Sequence, residues 1–129
     1  MASLHRDIPI NASADSVWTV VRDFGAVQKL APGVVVESRL DGDARIVTFA
    51  NGNVAREMLV DCDEARRRLV YAIRNERVTH YNASVEIVAD GANSRLVWTV
   101  DVLPHEIAPY ISSQMDQAAR AMQQALGGA

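Results

Sequence analysis

The stretch from Arg95 to Leu126, RLVWTVDVLPHEIAPYISSQMDQAARAMQQAL, contains both kinds of regular structure that decide the fold. Its first part, up to Pro104, is rich in β-branched residues and predicts a strand. In its second part, apolar residues recur every three or four positions, which predicts one long amphipathic helix ended by Gly127-Gly128. The apolar positions are Ile107, Ile111, Met115, Ala118, Ala119, Met122 and Leu126. We therefore expect a strand followed by a helix that buries one face.

Upstream of this stretch, short runs of strand-forming residues alternate with turn signals. The predicted strands span residues 34–40, 45–50, 54–62, 69–74, 79–89 and 95–103. The Asn-Gly pair at 51–52 is a strong hairpin signal. Because consecutive strands are joined by short turns of this kind, the six strands are expected to pair in an antiparallel manner.

The beginning of the chain predicts one more strand and two short helices. Alternating residues over 4–10 indicate the strand. Ser13 or Asn11 can cap a helix that ends at Gly25, and a helical turn is expected over 27–31. The whole order predicts an α+β protein with a seven-stranded, curved antiparallel sheet wrapped around the long C-terminal helix.

Size and composition limit the classes of protein that this chain can represent. Its 129 residues suffice for one core and are too few for two, so residues 1–129 are predicted to form a single domain. A net charge of −3 without a concentrated basic patch argues against a nucleic-acid partner. The absence of a run of about 18 apolar residues argues against stable membrane insertion.

Cysteine and histidine usage bears on compartment and cofactors. Cys62 is the only cysteine, so no internal disulfide can form and a reducing compartment is expected. Its neighbours Asp61 and Asp63 would raise the pKa of the thiol, which argues against a nucleophile. The three histidines have no metal-ligand spacing, so no metal or other cofactor is predicted. Since the first residues contain no hydrophobic signal stretch, a cytoplasmic location is expected.

Several short motifs, taken in order, resemble the polyketide cyclase/dehydrase-like branch of the START/Bet v 1 (SRPBCC) superfamily. They are NASADSVW at 11–18, DFG at 23–25, PG at 32–33, Gly52, Glu57 and Asp63 at their spacing, LVY at 69–71, YNAS at 81–84 and RLVWT at 95–99. The resemblance extends over residues 6–126. It implies the helix-grip fold, with a hydrophobic cavity between the sheet and the long helix. Members of the superfamily bind or transform lipids, polyketides, hormones and other apolar molecules.

The resemblance extends to individual residues of the plant abscisic-acid receptors in the same superfamily. Their pocket glutamate matches Glu57, their pocket aromatic residue matches Tyr71, and a pocket tyrosine on the next strand matches Tyr81. Their carboxylate-binding lysine has no counterpart here, and their gate loop is replaced by a tighter turn at 50–53. Hormone reception is therefore not implied.

Glu57 is the first candidate for chemistry inside such a cavity. Because side chains alternate along a strand, Ala55, Glu57 and Leu59 share one face. If that face is concave, the carboxylate enters the cavity, where burial would raise its pKa and suit it to general acid or base catalysis. Otherwise Glu57 points outward or pairs with an arginine such as Arg45 or Arg56.

The direction of Asp101 is open in the same way. If Trp98 and Val100 face inward, Asp101 is solvated on the outer face. With the opposite direction, which the resemblance favours, Asp101 joins Glu57 in the cavity as an acid/base pair or a polar anchor. Thr99 shares the face of Asp101 and would then contact a ligand.

Further candidates follow from the inner faces of the strands and the final helix. The predicted ligand contacts are Glu57, Tyr71, Ile73, Tyr81, Ala83, Thr99, Ile111, Met115 and Met122. His80 is expected near the cavity mouth, where a histidine can donate or accept a proton. Asn82 and Ser84 would point inward only if a bulge shifted their strand.

Two functions from different classes follow from these residues. The preferred one is the binding of a small hydrophobic or amphipathic molecule of lipid, polyketide or aromatic type. The alternative is a cofactor-independent polyketide cyclase or dehydratase, in which Glu57, Asp101 and His80 would be catalytic together with a tyrosine. A third, less favoured role is protein interaction, with a homodimer formed through a sheet edge or the face that carries Trp98.

Overall fold

The computed structural model describes residues 2–127 of the chain. Its strands are β1 (Ala2–Ile10), β2 (Val35–Asp41), β3 (Ala44–Phe49), β4 (Val54–Asp63), β5 (Arg68–Ile73), β6 (His80–Asp90) and β7 (Asn93–Leu103). Helix α1 (Ala14–Val21) and a 3₁₀ segment (Phe24–Lys29) connect β1 to β2. A 3₁₀ turn (His105–Ile107) leads from β7 into helix α2 (Ala108–Leu126).

The strands form one sheet in the spatial order β1-β7-β6-β5-β4-β3-β2, and every neighbouring pair is antiparallel. This architecture confirms the predicted seven-stranded curved sheet with a long C-terminal helix. Strand ends lie within two residues of the predicted ones, and β1 begins at Ala2. Because β1 is an edge strand, it tolerates Pro9, which has no backbone N–H.

Helix α1 begins at one of the two predicted caps and ends earlier than predicted. The Oγ of Ser13 accepts a hydrogen bond from the backbone N–H of Ser16 at 3.2 Å. The helix ends at Val21 and does not reach Gly25, because Asp23 leaves helical geometry with φ −78° and ψ 79°. The chain then enters the 3₁₀ segment, whose first residue turns into the core.

Helix α2 is attached to β1 by side-chain hydrogen bonds along its length. Arg6 donates to the Asp116 carboxylate at 2.8 Å and to the Ser112 hydroxyl at 2.7 Å. Farther along, Gln123 donates to the carbonyl of Pro9 at 3.1 Å. The buried residues of the helix are Met115, Ala118 and Met122. No helix within residues 2–127 is long and apolar enough to cross a membrane.

Gly127 secures the end of α2 against the connection between β1 and α1. Its φ is 127°, in the range that favours glycine. A Cβ at this position would lie 2.5 Å from the carbonyl oxygen of Asn11. The Gly127 carbonyl itself accepts a hydrogen bond from the Asn11 N–H at 3.0 Å. The predicted helix end is thus formed by Gly127, while Gly128 lies outside the described residues.

Candidate ligand-binding cavity

A cavity of about 170 Å³ lies between the concave face of the sheet and helix α2. Strands β3 to β7 all contribute side chains to it, and the 3₁₀ segment and the turn after it close one side with Val27, Leu30 and Ala31. Helix α2 contributes Ile111, Met115, Ala118 and Met122 from its inner face. These walls are mainly apolar, as is common for pockets that hold small molecules.

Arg45 and Glu57 form an ion pair in the wall of this cavity. They are direct cross-strand partners on β3 and β4, and the Nε of Arg45 donates to Oε1 of Glu57 at 2.8 Å. Only 4% of Arg45 and 6% of Glu57 is exposed. Opposite charges at facing positions of neighbouring strands attract each other, and here each one compensates the buried charge of the other.

Aromatic rings and a backbone carbonyl hold the Arg45 guanidinium in place. Its central carbon lies 4.1 Å from the ring centre of Phe24 and 4.9 Å from that of Tyr71, so cation–π attraction supplements the ion pair. The Nη1 of Arg45 also donates to the carbonyl of Phe24 at 3.2 Å. The fixed guanidinium therefore orients the carboxylate of Glu57.

Two buried phenols lie beside the ion pair. The ring centres of Tyr71 on β5 and Tyr81 on β6 are 6.4 Å apart. Burial, and next the negative charge of Glu57, raises the pKa of Tyr71 far above its usual value. Burial, and next the proximity of Tyr71, raises the pKa of Tyr81 as well. Both phenols are consequently neutral at physiological pH.

Trp98 lines the same cavity, and its buried indole N–H lies beside the hydroxyl of Tyr71, whose pKa this interaction lowers. Trp98 is 7% exposed. Its indole Nε1 has no partner within 3.5 Å at hydrogen-bonding geometry among residues 2–127. The other tryptophan, Trp18, lies outside the cavity and donates to Glu64 at 3.4 Å. Buried indole N–H groups usually have a partner, and the Tyr71 hydroxyl is an acceptor close to that of Trp98.

The mouth of the cavity is marked by lining residues that are exposed to solvent. Tyr110 on α2 is 42% exposed, and its hydroxyl accepts hydrogen bonds from the side chains of Asn51 and Asn53 on the β3–β4 hairpin. Arg77, in the loop between β5 and β6, lines the opening and forms no ion pair with a described residue. The exposed part of the lining therefore contains polar side chains together with the apolar Val54.

The structure brings most of the predicted ligand contacts together. The predicted residues that line the cavity are Glu57, Tyr71, Ile73, Tyr81, Ile111, Met115 and Met122. Ala83 is completely buried on the same sheet face but does not line the cavity. The two alternatives for Glu57 are combined, because its carboxylate points inward and also pairs with Arg45.

The prediction that Asp101 and Thr99 enter the cavity is wrong. Strand β7 turns Trp98, Val100 and Val102 inward, and all three are buried. Asp101 instead accepts a hydrogen bond from Ser3 at 2.6 Å, and Thr99 lies 3.0 Å from a ring nitrogen of a histidine on the neighbouring strand β1. Burial of the large apolar side chains decides which face of β7 is inside, so its polar residues are outside.

The expected role of His80 at the cavity mouth is also wrong. His80 is exposed at the first position of β6, opposite Leu103, and it does not line the cavity. The pairing of β6 with β7 is continuous, so no bulge turns Asn82 or Ser84 inward.

The described residues provide no site for a metal ion. Among residues 2–127, no three histidine, cysteine, aspartate or glutamate side chains lie close enough together to hold one.

Burial, followed by the hydrogen bond to Glu64, raises the pKa of Cys62, which disfavours the thiolate.

Sequence reasoning assigned no ligand role to several residues of the cavity. Inside, these are Arg45 and Trp98; at the mouth, they are Asn53, Arg77 and Tyr110. The register of the β3–β4 hairpin would have revealed Arg45, because that register places it opposite Glu57. The mouth residues come from separate loops and a helix end, and no local pattern connects them.

The fold and the cavity define this protein as a member of the helix-grip class. The family model for "Polyketide cyclase / dehydrase and lipid transport" matches residues 1–127. The chain therefore belongs to that family. No curated protein sequence matches it.

Solved structures from several organisms share this fold. A solution NMR structure from Thermobifida fusca is 31% identical, with a TM-score of 0.80 over 98% of this chain and 91% of that chain. A point mutant of norcoclaurine synthase from Thalictrum flavum, in complex with a transition-state analogue, is 22% identical, with a TM-score of 0.74 over 97% and 93%. A START superfamily protein from Mycobacterium smegmatis is 16% identical, with a TM-score of 0.73 over 98% and 94%.

Breaking the buried ion pair is expected to destabilise the fold. Arg45→Met or Glu57→Gln leaves one buried charge uncompensated, which should lower the free energy of unfolding by about 3–5 kcal/mol. The double variant Arg45→Met/Glu57→Leu should recover most of that loss. As a control, Arg56→Gln removes a half-exposed partner of Asp41 and should change stability by less than about 1 kcal/mol. Urea denaturation gives the free energy of unfolding of all four variants. If the single substitutions of Arg45 or Glu57 cost no more stability than Arg56→Gln, the burial of the ion pair is contradicted.

Alkaline pH is expected to destabilise the protein through the buried phenols. An unfolded tyrosine ionises near pH 10. Because the pKa values of Tyr71 and Tyr81 are raised in the folded state, their contribution to stability is complete below about pH 10 and is lost as pH rises further. Urea denaturation between about pH 9 and pH 11 should show this loss, and Tyr71→Phe should reduce its slope. Tyr110→Phe, at the mouth, is the control. If stability falls with pH at the same slope in Tyr71→Phe and Tyr110→Phe, the loss does not come from the buried phenol of Tyr71.

Proposed function

We propose that this protein binds a small hydrophobic or amphipathic molecule in the cavity between the sheet and α2. The observation that carries the proposal is the largely apolar cavity of about 170 Å³, open at one mouth, with an ion pair and two phenols in its wall. An engineered apolar cavity of about 150 Å³ in another protein admits benzene, so the space suffices for a molecule with one aromatic ring.

The arrangement of polar groups supports an occupant with both apolar and polar parts. The ion pair of Arg45 and Glu57 and the neighbouring phenols can orient a polar group inside, while the apolar walls bury the remainder. Polar side chains at the mouth, such as Arg77 and Tyr110, remain in contact with solvent. The family description includes lipid transport, which agrees with a protein that holds an apolar molecule.

Cofactor-independent cyclase or dehydratase chemistry is the second candidate. The cavity combines the carboxylate of Glu57 with the neutral phenols of Tyr71 and Tyr81, and such groups can accept and donate protons. One structural relative is a synthase by name. Asp101 and His80 lie outside the cavity, so Glu57 is the single carboxylate that this candidate can use among the described lining residues.

Filling the cavity is expected to abolish binding without unfolding the protein. Ala118 is buried and projects from α2 into the cavity, so Ala118→Leu should occupy the space of a ligand. The melting temperature of the wild-type protein should rise with toluene, because a ligand that binds only the folded state stabilises it. That of Ala118→Leu should not rise.

Ala125→Leu is the matched control, because Ala125 is exposed on the same helix and does not line the cavity. It should respond to toluene as the wild type does. A wild-type protein that retains no guest in native mass spectrometry and gains no stability from toluene would refute the proposal. If a retained guest is chemically converted, loss of that turnover by about 100-fold or more in a Glu57→Gln protein that still binds would favour the enzyme.

A further inference from the structure

We infer that the molecule held in the cavity is an amphipathic carboxylate, with its apolar part inside and its carboxylate at the mouth, where the guanidinium of Arg77 binds it. The inference rests on the proposed function and adds the charge and the orientation of the ligand to it. It makes Arg77 a residue that determines specificity. Three properties of the cavity support it: a free cation at the mouth, the charge of the lining and the attachment of the loop that contains Arg77.

The free cation is the guanidinium of Arg77. This residue is exposed in the loop between β5 and β6 and lines the opening of the cavity. Its side chain makes no hydrogen bond or ion pair with another residue in the range 2–127. The guanidinium of Arg45, in contrast, is already bound to Glu57. Because arginine presents N–H groups in a plane that matches a carboxylate, an acidic group at the mouth would find Arg77 available.

The second property is the charge of the cavity lining. Its charged side chains, within the part of the chain that the structure describes, are Arg45, Glu57 and Arg77. Arg45 and Glu57 compensate each other, so the lining has one uncompensated positive charge, although the whole chain has a net charge of −3. This charge lies at the mouth and attracts an anion there, whereas it repels a cation.

The same distribution of charge decides which end of the ligand enters the cavity. Farther inside, the ion pair of Arg45 and Glu57 offers no free counter-charge, and the walls are mainly apolar. A carboxylate that moved inside would lose its hydration without compensation. The apolar part of the ligand therefore occupies the interior, and the carboxylate stays at the mouth beside Arg77 in contact with solvent.

The third property is the attachment of the loop that contains Arg77. The side-chain oxygen of Asn75 accepts hydrogen bonds from the backbone N–H groups of Arg77 at 2.8 Å and of Val78 at 3.1 Å. Val78 is buried and lines the cavity, so it attaches the loop to the wall. Arg77 is thus held at the edge of the opening, where its long side chain can reach a group on the ligand.

Three probes with the same apolar part test the charge of the ligand. 3-Phenylpropanoate, 3-phenyl-1-propanol and 3-phenylpropylamine differ only in a carboxylate, a hydroxyl or an ammonium group at the end of one phenylpropyl body. Isothermal titration calorimetry at about pH 7 and low salt gives their dissociation constants. We expect the wild-type protein to bind the carboxylate more tightly than the ammonium compound. The alcohol measures the contribution of the apolar body alone.

Substitutions of Arg77 test its role. In Arg77→Gln, the dissociation constant of the carboxylate should rise by about threefold relative to that of the alcohol, as expected for the loss of one exposed ion pair. Arg77→Glu should reverse the order, so that the ammonium compound binds more tightly than the carboxylate. Arg74→Gln is the matched control, because Arg74 is exposed in the same loop and does not line the cavity. It changes the net charge equally and should keep the wild-type ratio.

Salt provides a second readout that needs no variant. Raising NaCl from about 20 mM to about 500 mM screens charges that are exposed to solvent. In the wild-type protein, this should weaken binding of 3-phenylpropanoate by about threefold relative to the alcohol. In Arg77→Gln, salt should affect the two probes alike.

The outcomes separate this inference from the proposed function, which the response to toluene tests independently. If toluene and all three probes fail to bind the wild-type protein, both are wrong. If toluene or the alcohol binds, but the carboxylate binds no more tightly than the ammonium compound, the cavity holds apolar molecules and the charge assigned to the ligand is wrong. Equal ratios of alcohol to carboxylate binding in Arg77→Gln and Arg74→Gln would refute the role of Arg77.

Discussion

The ion pair between Arg45 and Glu57 is the interaction on which the interior of this protein depends. Two charges that are almost completely buried cannot remain there singly, so β3 and β4 must pair in the one register that places them opposite each other. The guanidinium also lies against the rings of Phe24 and Tyr71, which connects the 3₁₀ segment before β2 to β5. The same contact thus sets the strand register and supplies the charged group of the cavity wall.

The cavity exists because α2 is held along β1 and does not collapse onto the middle of the sheet. Hydrogen bonds from Arg6 and Gln123 attach the helix at that edge, and Gly127 secures its end against Asn11. Small and flexible side chains on its inner face, Ala118 among them, leave space above the curved sheet. A protein interior is normally close-packed, so an apolar space of this size distinguishes this region from the rest of the core.

Much of the fold could be predicted from local patterns, whereas the details of the site could not. Strand and helix positions follow from periodicity and turn residues, and those predictions hold to within a few residues. The turn at 50–52 is one residue longer than the Asn-Gly pair alone requires; a two-residue turn would have placed Arg45 opposite Met58. Such a shift of one residue reverses the faces of a strand, which is why the pairing of Glu57 could not be read from its strand alone.

The sequence by itself determined the seven strands, the long amphipathic helix and the apolar character of the space between them, because periodicity and turn chemistry act over a few neighbouring residues. Only the tertiary structure decided that Trp98 faces inward and Asp101 outward, since the strand alternates in either case and packing against the rest of the core selects the face. It also decided the mouth, because Arg77 and Tyr110 line the cavity from distant parts of the chain. Contacts of this kind depend on the path of the whole chain, which no local pattern contains.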